Sequence, residues 1–147
     1  MTKYILVGGY PDKALDEGKA FCEEVVKGFE EPVRILDCIF ARPHETWEKE
    51  YVNDKEFFGD YLPNKKPEIR LADPEKFIEQ VKWANAIYFR GGKTRYYYGL
   101  DSLKLCEGLG LLPIKVIVHW RSGYNAPNIE DLPIITMAEG QFEVITK

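Results

Sequence analysis

The sequence predicts an α/β fold: a three-layer sandwich on a mostly parallel sheet, flavodoxin-like or Rossmann-like, with a C-terminal β-hairpin added. Three observations predict it. Short apolar runs alternate with stretches of helical period. Two of those runs end in paired glycines, Gly8-Gly9 and Gly91-Gly92, as strand-to-helix turns do. No linker or internal repeat divides the 147 residues, which suit a single domain over 1–147.

The elements follow in order. Tyr4–Val7 is a short strand. Ala14, Gly18, Phe21, Cys22, Val25 and Phe29 recur at helical spacing, and Glu30-Glu31-Pro32 ends that helix. Val33, Ile35, Leu36, Ile39 and Phe40 make a second strand, which Arg34 and Asp37 interrupt. Trp47, Tyr51 and Phe58 give a more polar helical stripe, and the stretch from Asn64 to Pro67 is a loop. Ile69–Leu71 is a short strand at an edge. Asp73 caps the next helix with Pro74 at its first position, and Phe77, Val81 and Ala84 form its buried face. Ala86–Phe89 is a fourth strand. A helical stretch from Tyr96 to Cys106 and a strand Ile114–Val118 follow. Ile134–Met137 and Phe142–Ile145 flank Glu139-Gly140 as the terminal hairpin.

Composition narrows the function classes. The chain is 45% hydrophobic and 30% charged, ordinary for a globular protein. A net charge of −4 gives no basic footprint for nucleic acid. No apolar run reaches membrane-spanning length, so no membrane partner is expected. The opening run has no charged n-region and no cleavage site, which predicts a cytoplasmic location. Cys22, Cys38 and Cys106 fit neither a zinc spacing nor a disulfide framework, and are expected as buried thiols in a reducing compartment.

The chemistry is expected at the loops. Glycine lets the backbone turn sharply and approach a ligand, and the following helix offers free N–H groups to an anion. Gly8, Gly9, Gly91, Gly92 and Thr94 are therefore candidate ligand-binding residues, although βα turns need glycine on structural grounds as well. Gly92-Lys93-Thr94 is not a phosphate loop, because Ile87 stands where that motif needs its first glycine. Pro11 and Asp12 break the dinucleotide fingerprint after Gly8-Gly9. No nucleotide cofactor is expected.

Gly108-Leu-Gly-Leu-Leu-Pro113 stops a helix, and the strand after it ends on His119. Ligands of open α/β sheets bind outside the carboxyl ends of the strands. His119 is a general base, a metal ligand or a packed strand-end residue on this evidence of position. The other histidine, His44, begins a helix far away in sequence, so no metal site is expected. A nucleophile elbow needs small residues on both sides of the nucleophile. Centring it on Ser122 places Trp120 and Tyr124 at those positions, so no conventional elbow is present.

These pieces together resemble the peptidase E family, whose fold is that of the type 1 glutamine amidotransferases. The resemblance rests on the first strand with Gly8-Gly9-Tyr10-Pro11, on Ile87–Thr94 beside the family's Gly-Gly-Asn-Thr loop, and on Gly108–Pro113 leading to His119. It implies a serine hydrolase acting on small peptides, typically dipeptides with an N-terminal aspartate. His119 is then the base, and N–H groups near Gly91 and Gly92 help bind the oxyanion.

The chain departs from that family at the nucleophile. The family carries a helix, a strand and a Gly-x-Ser-Ala-Gly elbow between the two later segments, whereas here only Arg95 to Glu107 lie between them. Lys93 also stands in place of the asparagine. A histidine base without a positioned hydroxyl forms no acyl-enzyme. The expected function is therefore a peptidase E-like domain without a working nucleophile, binding a small acidic or peptide ligand. One alternative is an active hydrolase using Ser122 or Ser102 with His119. Another is a non-enzymatic interaction module or homodimer, with Tyr96-Tyr97-Tyr98 and Trp120 as its surface. Glu107, Glu130 and Asp131 remain open as the third triad member.

Overall fold

The computed structural model describes residues 2–13, 16–91, 113–117 and 133–147. Its elements in chain order are β1 (Lys3–Val7), α1 (Lys19–Val26), β2 (Arg34–Cys38), α2 (Trp47–Tyr61), β3 (Glu68–Leu71), α3 (Phe77–Trp83), β4 (Ala86–Phe89), β5 (Lys115–Ile117), β6 (Ile134–Thr136) and β7 (Phe142–Thr146). The protein is of mixed α/β class. The chain divides into two compact units, Met1–Phe21 with Lys104–Lys147, and Cys22–Leu103.

The second unit is built on a parallel sheet in the order β3-β2-β4. Its middle strand follows from the apolar run starting at Val33: Val33, Ile35, Leu36 and Ile39 are all fully buried. A strand covered on both faces carries a near-continuous apolar run rather than an alternating one. Leu36 and Cys38 point to one face and pack with Ala72, Phe77, Val81 and Ala84 around α3. On the other face Tyr88, which pairs with Asp37 across the β2–β4 ladder, meets Phe58 of α2 edge to face at 5.4 Å. The chain steps from β2 to β3 on one side, then back across to β4. A crossover of fixed hand then lays successive helices on opposite faces.

Local chemistry sets the helix limits. Glu48 and Glu50 lie in the first turn of α2, where acidic groups suit the helix dipole. The indole N–H of Trp47 donates to the Arg42 carbonyl at 2.9 Å, which fixes the entry to that helix. Asp73 does not cap α3 directly. It accepts the Glu75 N–H at 2.9 Å, residues 74–76 form a turn, and the helix starts only at Phe77. The first helix is also shorter than its apolar period predicts. Gly18 has φ +90° and stands outside it, while Asp16 accepts the Gly18 and Ala20 N–H groups at its start.

In the first unit β1 pairs antiparallel with β7, from Lys3 opposite Thr146 to Val7 opposite Phe142. β5 pairs in parallel with β6. The expected C-terminal hairpin is therefore corrected. The two segments exist as strands, but among the described residues β6 and β7 belong to different ladders. The turn between them closes on itself, with Gln141 N–H donating to Ala138 at 3.2 Å, and β7 spends its hydrogen bonds on β1.

Among the described residues no helix is long and apolar enough to cross a membrane. Cys22 and Cys38 are buried thiols, and Cys106 lies outside the described residues.

Candidate functional site

The one place where the described residues gather buried charge is the carboxyl end of the β2–β4 ladder. Asp37 is the fourth residue of β2 and is fully buried. Arg90 follows β4 directly, and its N–H donates to the Cys38 carbonyl at 3.0 Å, which extends the ladder by one step. On α2, Asp54 continues the inward stripe of Trp47, Tyr51 and Phe58 and is only 4% exposed. Glu50 stands one helical turn before it, so both carboxylates face the same way.

Arg90 joins these elements. One terminal guanidinium nitrogen donates to Asp54, and the other lies 2.8 Å from a Glu50 carboxylate oxygen. Neither oxygen of Asp37, nor Oδ2 of Asp54, meets an N–H or neutral hydroxyl donor among the described residues. The Asp37 and Asp54 carboxyls interact closely enough to shift each other's acidity, so the proton that Asp37 keeps is available to the Asp54 carboxylate.

Electrostatics follow from burial. Desolvation first, and then the Asp54 charge, push the Asp37 carboxyl up from 3.8 to about 8, against the opposing pull of Arg90. Burial also raises Asp54, although the Arg90 hydrogen bond and charge oppose it. Burial would lower Arg90, but the Asp54 hydrogen bond and charge, with smaller contributions from Tyr88 and Glu50, together offset that and hold it above its ordinary value. The Cys38 thiol is pushed up to about 12 by burial and by Asp37, so it is no nucleophile at neutral pH. Burial raises the Tyr88 and Tyr51 phenols as well. At neutral pH Asp37 thus keeps its proton beside the Arg90 guanidinium. The cluster can hold or release a proton and can offer guanidinium N–H donors at a strand end.

The residues expected from sequence divide three ways. Gly8 and Gly9 end β1, and their backbone is engaged by the turn before β7. Gly8 N–H donates to Gln141 at 2.9 Å, and the Gly9 carbonyl accepts the Gly140 N–H at 2.8 Å. A Cβ on Gly8 would lie 2.1 Å from the Ala138 carbonyl oxygen, so close backbone packing accounts for that glycine. Gly91 is exposed, and a Cβ there would meet nothing within 4 Å among the described residues. Gly92, Thr94, His119, Ser122 and Ser102 lie outside the described residues, as do Lys93, the helical stretch 96–106 and the aromatics Tyr96-Tyr97-Tyr98 and Trp120.

Sequence reasoning missed Asp37, Glu50, Asp54 and Arg90 as a group. Two signals were present. A lone acid sits inside the apolar run Val33–Phe40, and a second acid occupies an inward position of the stripe Trp47-Tyr51-Asp54-Phe58. Among the described residues no group of His, Cys, Asp and Glu is arranged to hold a metal ion. Comparison of the chain with protein-family models, curated proteins and solved structures finds no match in any of the three.

Proposed function

We propose that this chain is a peptidase E-like domain of the three-layer, flavodoxin-like kind that binds a small acidic or peptide ligand and runs no serine hydrolysis. The observation that carries the proposal is Arg90. It sits at the carboxyl ends of β2 and β4, directly before Gly91, where open α/β sheets take their ligands. Its guanidinium is fixed by Glu50 and Asp54, and its side chain is 23% exposed. A guanidinium carries five N–H donors, so two ion pairs leave donors over for a ligand carboxylate. The open space beside Gly91 lets a ligand come close to the backbone.

Two further points support the reading. α2 and α3 cover opposite faces of the β3-β2-β4 sheet, as a three-layer sandwich requires. The Gly-x-Ser-Ala-Gly elbow of the resembled family is absent from the sequence, which leaves His119 a base without a nucleophile. Glu50 and Asp54 together outweigh the charge of Arg90. The ligand therefore gains directed hydrogen bonds rather than a long-range field, and binding is weak. The buried thiols Cys22 and Cys38 suit a reducing, cytoplasmic setting.

The test is a titration with the dipeptide Asp-Leu, followed by amide NMR shifts and by release of leucine. Saturable shifts at the Arg90 and Gly91 amides, weakened in Arg90→Lys, with no leucine released, are expected. Absence of shifts at that edge would remove the binding reading. Leucine release lost in Ser122→Ala or Ser102→Ala would replace it with an active hydrolase.

A further inference from the structure

Asp37 is an unusual residue to bury. It is fully buried, and neither of its oxygens has a hydrogen-bond partner among the described residues. An asparagine would fill the same volume and carry no ionisation to suppress. A buried acid kept in such a place lowers stability, which is the mark of a group with a task rather than a packing role.

The groups that face Asp37 are Asp54, Glu50 and Tyr51 from α2, Tyr88 and Arg90 from the β4 end, and Cys38 beside it on β2. Three carboxyl groups share one guanidinium. The proton held between Asp37 and Asp54 acts as the second positive charge of the cluster. We propose that this shared proton is a latch on Arg90. With the proton in place, the guanidinium closes on Asp54 and Glu50 and docks the end of β4 onto α2. When the Asp37 O–H bond breaks and its proton passes to bulk water, Asp37 becomes a third anion. It then competes for the same guanidinium, the acid–carboxylate interaction is lost, and the docking of the strand end loosens.

The linkage has a definite sign. The folded chain keeps the Asp37 proton up to about pH 8, whereas the unfolded chain loses it near 3.8. The contribution of this group to stability is therefore full below about 3.8, falls as pH rises, and levels off above about 8. Cys38, held up at about 12, and the raised Tyr88 phenol keep their protons through that window.

The latch would regulate the ligand edge proposed above, and to that extent rests on that reading. Its test contains no ligand, so the two fail separately. The carboxyl carbons of Asp37 and Asp54 are titrated by 13C NMR in the full chain. Exchange protection of the Arg90 amide, which donates to the Cys38 carbonyl, is followed across the same pH range, corrected for intrinsic exchange. Asp37 should titrate near 8, with a matching step at Asp54. Protection should fall about tenfold across that step, and not in Asp37→Asn. A midpoint for Asp37 near its ordinary value, or an equal loss of protection in Asp37→Asn, would overturn the latch. Should Asp37→Asn fail to fold, the unaltered chain decides: loss of Arg90 protection must coincide with the Asp37 titration, and protection unchanged across that step would overturn the latch.

Discussion

The ends of β1 and β4 carry the same sequence signal, a pair of glycines after a short apolar strand, and they are held in different ways. At the end of β1 the constraint is shape. Gly8 is buried, and the Ala138 carbonyl occupies the space a side chain would need. At the end of β4 the constraint is charge. Among the described residues nothing crowds Gly91, and the residue before it is tied to α2 by two carboxylates. Paired glycines after a strand thus leave open whether a ligand or another stretch of chain comes close. The glycine with room beside it is the better candidate for a ligand, and the crowded one is structural.

The largest expected effect breaks the charged end. Arg90→Ala strands the buried Asp54 carboxylate and should cost about 3 kcal/mol in urea unfolding at neutral pH. The loss should shrink in acid, because a protonated Asp54 no longer needs the guanidinium. An equal loss at both pH values would mean that Arg90 acts through packing instead.

Next in size is the crowded glycine. Gly8→Ala should cost at least about 2 kcal/mol, since a backbone carbonyl must move. Gly91→Ala should stay within about 0.5 kcal/mol, which thermal unfolding of the two variants side by side would show. Similar losses from both would erase the distinction between the two turns.

The smallest effect checks that charge is incidental at the β1 end. Lys13 reaches Glu139 across that turn at 3.5 Å, with Lys13 exposed and Glu139 partly so. Lys13→Ala should cost no more than about 0.5 kcal/mol and less in high salt. A loss as large as that of Arg90→Ala would put the two ends in one class.

The elements were legible in the sequence to different degrees. α2 and α3 were legible from their apolar stripes, and β2, β3 and β4 from short apolar runs between turns. The start of α1 was not, because the left-handed backbone at Gly18 overrides an apolar period that continues through it. The terminal hairpin was misread for a related reason. Two strands joined by a short turn usually pair with each other, and nothing local in 134–146 states that β1 and β5 are the partners. Asp37 was read as an interruption of its strand, because an isolated acid among apolar residues argues against burial unless its partners are known.

The sequence by itself determined the α/β class, the alternation of strands and helices through β4 and the glycine turn after β1. All of these are local properties, set by side-chain period and backbone permissiveness within a few residues. The tertiary structure alone decided that Asp37, Glu50, Asp54 and Arg90 form one cluster. The four lie on two strands and a helix, and what joins them is the parallel β2–β4 register and the packing of α2 on that sheet face. It also decided the protonation of Asp37, since a carboxyl gives up its ordinary acidity only when folding removes water and sets a second carboxylate beside it.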